Sequence, residues 1–302
     1  MPSRRSPLTL GALFDQLALL RLKPLGGRAR WVDTSVTPLR AVDIQPSRGA
    51  SPRPPLVLVH GLGSSAASYA PLAALAAPAF KRVIAPSAPA HGMSPAHPCV
   101  SDPEALFGVW REAIDALSAP EPVVLLGTSL GGAIALRYAI ERPERVRALV
   151  LCSPAGPQMT PAQIAEVREN FRMTSLGDGE RFLSILFERP PPLSPLVGLA
   201  VRATLRGEPV QRLLRELTPS LGLSREELSS LSVPTLLFWG GHERVLPAGL
   251  LDVYRATLPP ALTTIVEPPH FSHSPQLEHP RELLARALAW LDALPPAAQD
   301  LP

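Results

Sequence analysis

Two cysteines in 302 residues, Cys99 and Cys152, are too few for a disulfide framework. Charge of one sign is scarce as well. Against 26 Asp and Glu stand 29 Lys and Arg, a formal net charge of +3 spread over the whole chain. Aromatics make up only 5 % of residues and interleave with no Lys/Arg cluster, so no nucleic-acid partner is expected. No apolar run is long enough to cross a bilayer. The longest uncharged stretch, between Arg53 and Lys81, is broken by His, Ser, Gly and several Pro, and reads as strand, loop and helix. Metal-ligand spacing is missing too: His242 and His270 have no nearby partner in the sequence, so neither zinc nor another metal is expected. The pair Gly131-Gly132 is not part of a G-x-G-x-x-G turn, which leaves no dinucleotide site and no cofactor. Apolar residues, by contrast, make up 46 % of the chain against 18 % charged. That composition rules out disorder and fills one large core, or one core with a small appended domain.

Residues 1–29 open with Arg4-Arg5 and an apolar stretch, as a secretory signal does. Asp15 interrupts the stretch, and Arg21 and Lys23 stand where a small-residue cleavage site would be. Leu10, Leu13, Phe14, Leu17 and Leu20 recur at helical spacing on one face. The spacing predicts an amphipathic N-terminal helix docked on the body of the protein. A membrane-surface contact through this segment is the alternative, and a cleaved signal a weaker third. The expected location is cytoplasmic.

From Pro55 onward short apolar runs alternate with helical patterns. The runs are Leu56–Val59, Arg82–Ala85, Val123–Leu126, Ala148–Leu151, Thr235–Trp239 and Thr263–Val266. Continuous apolar runs without alternation suit strands buried on both faces of a parallel sheet. Helix patterns lie between them near Ser68–Ala77, Pro103–Leu117, Leu130–Glu141, Pro247–Thr257 and Pro280–Leu291. This alternation means βαβ units and an α/β fold. Arg30–Asp33 and Leu39–Ile44 add a candidate antiparallel edge hairpin. One stretch breaks the rhythm. Residues 156–232 read as helices only, which predicts a helical cap inserted between two parts of an α/β core, 30–155 and 233–302, over the edge where such sheets bind ligands.

The strongest local signal is Gly127-Thr128-Ser129-Leu130-Gly131-Gly132. It follows one apolar run directly and opens a helical one, the context that the G-x-S-x-G nucleophile elbow requires. Such a turn holds Ser129 in a strained conformation at the top of the sheet, with a helix N-terminus beside it to favour developing negative charge. A serine nucleophile also needs donors for the oxyanion of its tetrahedral intermediate. His60-Gly61-Leu62-Gly63-Ser64-Ser65, straight after the run Leu56–Val59, supplies a glycine turn for that purpose. The amides of Leu62 and Leu130 are the candidate oxyanion hole, and the ring of His60 is read as a brace for the loop. Cys152, at the end of an apolar run, is read as a small buried hydrophobe.

On these motifs the chain resembles α/β-hydrolase-fold serine hydrolases with a helical cap, of the lipase/esterase branch that includes monoacylglycerol-lipase-like proteins. Ala85-Pro86-Ser87-Ala88-Pro89-Ala90-His91-Gly92-Met93-Ser94 is similar to that family's D-x-P-G-H-G-x-S stretch, with Ser87 in place of the usual Asp and Ala90 in place of a Gly. The resemblance implies an acid after the penultimate strand, and Trp239-Gly240-Gly241-His242-Glu243 puts Glu243 on that position; Asp252 is the alternative. A histidine is implied after the last strand. His273 has the family's spacing to Glu278 and Pro280, with Ser272 for the usual Gly. His270 and His279 are the alternatives, while His91, His97 and His242 are read as structural or exposed.

The expectation is therefore a cofactor-independent serine hydrolase that cleaves a carboxylic ester through an acyl-enzyme on Ser129, with His273 as base and Glu243 orienting it. Its partner is a small ester with an apolar part. Ile164, Phe171, Phe182, Leu183, Leu186, Phe187, Leu196 and Val197 are expected to cover the site. Hydrolysis of a thioester, amide or carbon–carbon bond remains open, as does a non-catalytic binding protein on the same fold.

Overall fold

A computed structural model describes residues 9–45, 51, 53–192 and 194–295. In chain order its main elements are α1 (Leu10–Leu22), β1 (Gly27–Val32), β2 (Leu39–Ile44), β3 (Leu56–Val59), α2 (Ala70–Ala76), β4 (Val83–Ser87), α3 (Pro103–Leu117), β5 (Val123–Ser129), α4 (Leu130–Glu141) and β6 (Val146–Pro154). Five helices follow without an intervening strand: α5 (Pro161–Asn170), α6 (Asp178–Leu186), α7 (Ser194–Leu205), α8 (Glu208–Arg215) and α9 (Arg225–Ser229). The chain then completes the sheet through β7 (Thr235–Phe238), α10 (Gly249–Thr257), β8 (Thr263–Val266), α11 (Pro275–Glu278) and α12 (Pro280–Asp292).

The eight strands form one sheet in the order β1-β2-β4-β3-β5-β6-β7-β8. β1 and β2 run antiparallel, and β2 also pairs antiparallel with β4; every pairing from β4 to β8 is parallel. The hairpin at the edge begins at Gly27, three residues before the Arg30 that pattern alone suggested.

Both faces of the sheet are covered, which is why its strands read as unbroken apolar runs. Val123 and Leu125 of β5 pack with Trp110 of α3 and Tyr138 of α4. Their neighbours Val124 and Leu126 point the other way, into a second core with Leu72 of α2 and Leu283 of α12. Helix starts follow local chemistry: Asp102 accepts from the amides of Glu104 and Ala105 at 2.9 and 3.1 Å, with Pro103 in the first turn of α3. β3 lies between β4 and β5, so the chain leaves it in one direction and later returns to its other side. This reversal opens a crevice beyond the carboxyl ends of β3 and β5, the place where α/β sheets bind ligands.

α1 docks with the opposite face from its apolar stripe. Its buried residues are Ala12, Asp15, Ala18 and Leu22, while Leu10, Leu13, Phe14, Leu17 and Leu20 are about half exposed, at 47–55 %. The cause is Asp15, which is fully buried. Its Oδ1 accepts from Ser65 Oγ at 2.6 Å and Ala67 N at 2.9 Å; its Oδ2 accepts from Ser87 Oγ and Met93 N, both at 2.9 Å. Four donors on a buried carboxylate outweigh the gain from turning leucines inward. Among the described residues no helix is long and apolar enough to cross a membrane.

Candidate active site

Ser129 ends β5 and is followed at once by α4, with backbone angles φ 55 and ψ −124. A non-glycine residue at positive φ is strained and is held there by its surroundings. The surroundings are tight: a side chain on Gly131 would lie 2.0 Å from the carbonyl oxygen of Val59. The glycine lets α4 start directly against the end of β3. Ser129 is 7 % exposed and borders a cavity of about 160 Å³.

The loop after β3 passes over Ser129, and a Cβ on Gly61 would sit 3.1 Å from Ser129 Cβ. Two buried histidines hold this loop. His60 Nε2 accepts from Ala88 N at 2.9 Å, which leaves the ring proton on Nδ1 to donate to Gly61 O at 2.8 Å. His91 Nε2 accepts from Gly63 N at 3.2 Å, and its Nδ1 donates to Pro89 O at 2.9 Å. Burial, with His91 alongside, pushes the His60 ring down to about 3, and burial also lowers His91. Both rings are therefore neutral braces. Among the described residues the Leu62 amide has no hydrogen-bond acceptor. The Leu130 amide stands in the first turn of α4, where no intrahelical acceptor exists. Leu62, Ser129 and Leu130 all line the cavity.

Glu243 and His273 meet on neighbouring loops. His273 Nδ1 donates to Glu243 Oε2 at 2.7 Å, and both side chains are nearly fully buried. Glu243 Oε1 accepts from the amides of Val245 and Leu246 at 2.7 and 2.9 Å. Burial opposes ionisation of Glu243 and is the largest single influence. The charge of His273, hydrogen bonds from His273 and the Ser153 hydroxyl, and the Leu246 amide together still hold its carboxyl below the ordinary value. Ser153 escaped the sequence reading. It stands one residue before the end of β6 in another positive-φ conformation, at 40°, with its hydroxyl toward Glu243. The loops after β7 and β8 close on each other through His242 N, which donates to Phe271 O at 2.9 Å. A side chain at Gly240 would lie 2.1 Å from that same oxygen.

Glu278 ties down the loop that carries His273. It accepts from Ser272 Oγ and also from the amides of Glu188 and Arg189, at 3.2 and 3.1 Å, in the segment between α6 and α7. Among the described residues the Ser129 hydroxyl makes no hydrogen bond, and such links often close only when substrate binds.

The alternatives stand elsewhere. Asp252 is exposed on α10 and pairs with Arg255 at 3.0 Å. His270 Nε2 bonds Glu282 at 2.8 Å. Its lack of a metal-ligand partner needs correction, because folding brings His279 and Glu282 within 4.8 Å of it. The reason is topological: the partners come from the start of α12, not from adjacent sequence. Glu282 also pairs with Arg286 at 2.9 Å, which already balances its charge. Of the eight residues expected to cover the site, Phe171 lines the cavity. Leu196 is 63 % exposed and points away, while Val167, Leu213, Leu214 and Leu217 take its place.

Residues 56–287 match the alpha/beta hydrolase family. The chain is 31 % identical over 253 residues to a pimeloyl-[acyl-carrier protein] methyl ester esterase of Chromobacterium violaceum, covering 78 % of this chain and 93 % of that one. Its fold is similar to that of a membrane phospholipase A described as a bacterial virulence factor (TM-score 0.75, 24 % identity, 93 % of this chain and 90 % of that one). It is equally similar to that of 2-hydroxy-6-oxo-6-phenylhexa-2,4-dienoate hydrolase from a Rhodococcus strain (TM-score 0.75, 21 % identity, 88 % and 99 %). The matched span takes in the strained serine turn, the braced loop and the Glu243–His273 pair, and the chain belongs to the alpha/beta hydrolase family.

Proposed function

We propose that the protein is a serine hydrolase acting on a carboxylic ester. The observation that carries this reading is the buried Glu243–His273 hydrogen bond at 2.7 Å, on the same sheet edge as the strained Ser129. His273 Nε2 takes the proton of Ser129 Oγ as the oxygen attacks the ester carbonyl. Glu243 fixes the proton on His273 Nδ1 and stabilises the imidazolium. The amides of Leu62 and Leu130 donate to the oxyanion. His273 then protonates the leaving alcohol, which departs and leaves an acyl-enzyme. Water, deprotonated by His273, attacks the acyl carbonyl and restores Ser129. Each step uses side chains and amides of this chain.

The helices of residues 156–232 cap the site in this reading, and the apolar lining of the cavity favours an apolar acyl or alcohol part. The Chromobacterium relative, named for a methyl ester, favours an ester over other bonds. Carbon–carbon bond hydrolysis is the second reading, favoured by the likeness to the Rhodococcus dienoate hydrolase, which is one of fold alone.

A fluorophosphonate should add one group to Ser129, and Ser129→Ala should abolish both labelling and turnover. Esters of graded chain length, assayed beside thioesters, amides and a vinylogous diketone, then separate the bonds. Labelling at Ser153 or Ser64 would refute the assignment of the nucleophile. Turnover confined to the diketone would replace the ester.

A further inference from the structure

The outward stripe of α1 is the largest unexplained feature of the surface. Leu10, Leu13, Phe14, Leu17 and Leu20 stand about half exposed in a row along one helix, and Leu25, 38 % exposed, extends it past the helix end. Single exposed leucines are ordinary, but a contiguous ridge of six large apolar side chains marks a contact surface. The ridge is held rigidly, because Asp15 pins the opposite face of α1 to Ser65, Ala67, Ser87 and Met93. Those anchors follow β3 and β4 at their carboxyl ends. α1 starts at that edge, where Gly11 meets Gly92, and runs along the sheet to Leu22, which packs against Gly27 at the other end.

Charge distinguishes the occupants. Within residues 9–26, α1 and the turn that ends it, the acid is Asp15, which is buried, whereas Arg21 and Lys23 are exposed. The eight residues before them add Arg4 and Arg5 and no acid. An apolar ridge with cations at its end, and no exposed acid in its own segment, complements an anionic lipid surface. A second copy of the chain would bring like charges against each other on the same rim.

We propose that α1 seats the protein on anionic membranes, with the ridge in the interface and Arg21 and Lys23 at the headgroups. The seating lays the face of the sheet that α1 covers along the lipid surface, with the start of α1 beside the Ser129 edge. The binding itself does not depend on the serine-hydrolase reading, since a Ser129→Ala protein should dock equally well.

The test is flotation of the full chain with vesicles of phosphatidylcholine alone and of phosphatidylcholine with phosphatidylglycerol, at low and high salt. Wild type should float with the anionic vesicles at least about tenfold better than with the neutral ones, and high salt should weaken it. Leu13→Ser/Leu17→Ser alters exposed positions, so it should keep the thermal stability of wild type and full turnover of a short soluble ester, yet lose about tenfold or more of its vesicle binding. Arg21→Gln/Lys23→Gln should lose most of the preference for anionic lipid. The proposal is overturned if wild type stays unbound, or if the leucine variant floats as well as wild type. It is equally overturned if sedimentation shows a wild-type dimer that the leucine variant dissolves, with no vesicle binding by either.

Discussion

Asp15→Ala is the substitution with most to say about how this fold holds its site. The carboxylate accepts four hydrogen bonds, two to each oxygen, and no part of it meets solvent. Removing it lets the Ser65 and Ser87 hydroxyls rotate toward other acceptors. The amides of Ala67 and Met93 cannot turn. Ala67 N keeps a long bond to Ser65 Oγ, at 3.4 Å, so the amide left stranded is that of Met93, at a cost of about 1–3 kcal/mol. With the two hydroxyl bonds lost as well, the total should approach the loss of about 3–5 kcal/mol typical when one partner of a buried charged contact is removed. For a chain of this size, at roughly 2–4 °C per kcal/mol, the melting temperature should fall by roughly 6–20 °C. Below the melting transition the effect should reach the chemistry, because Ser65 and Ala67 directly follow the loop that presents Leu62. A shift of that amide by a fraction of an ångström should lower kcat about tenfold or more.

The assays are thermal unfolding and hydrolysis of a short soluble ester, followed by a double-mutant cycle with Ser87→Asp. In wild type, Ser87→Asp sets a second carboxylate against Asp15 and destabilises. In Asp15→Ala it returns an acceptor to the same pocket. The two changes should therefore couple favourably by at least about 1 kcal/mol. If Asp15→Ala costs under about 1 kcal/mol, or if the two changes are additive, Asp15 is not standing in for an acid at position 87 and the argument fails.

The remaining expectations concern the Glu243–His273 pair. Glu243→Gln should lower kcat by at least about a hundredfold with little change in KM, whereas Asp252→Asn should leave both unchanged. His273→Ala should cost about a thousandfold or more in kcat and His270→Ala less than about tenfold, and the reverse order in steady-state kinetics would move the base to the start of the loop. Glu243 also sets a pH dependence of stability. Its carboxyl is held below its ordinary 4.5, so its contribution is fully present above about pH 4.5 and is lost as pH falls through the lower folded value. The gap in melting temperature between wild type and Glu243→Gln should thus narrow on acidification below pH 4.5, and a gap that widens there would contradict the assigned shift.

Much of the sheet was legible because its inner strands are buried on both faces, while the edge strand β8 is half-buried. β2, β3 and β8 fall on the predicted residues, and β5 and β6 merely run further. Burial leaves a run such as Val123–Leu126 no polar positions, and a run that short cannot be a helix of the same composition. Ser129 was legible because the elbow needs small residues at fixed offsets, and steric demand of that kind is written into adjacent sequence. Long-range chemistry was not. Ser153 touches Glu243 across ninety residues, and the His270–His279–Glu282 cluster forms only when the last loop folds back on α12.

The misreading of α1 has the same origin and is the more instructive. Periodicity locates an apolar stripe but cannot tell which side of the helix meets the protein. That choice depends on what the opposite face offers, and here it offers one carboxylate among alanines. The departure at Ser87 was the available clue. A turn that usually holds its own acid had lost it, while the donors that such an acid would serve, the amides of Ala67 and Met93, were still in place. A buried set of donors without an acceptor is not a stable state, so some other part of the chain had to supply one. Asp15, isolated in an apolar segment where it has no local use, was the residue free to do it. The two anomalies, a missing acid in one motif and a misplaced acid in one helix, account for each other, and the outward leucines are their consequence.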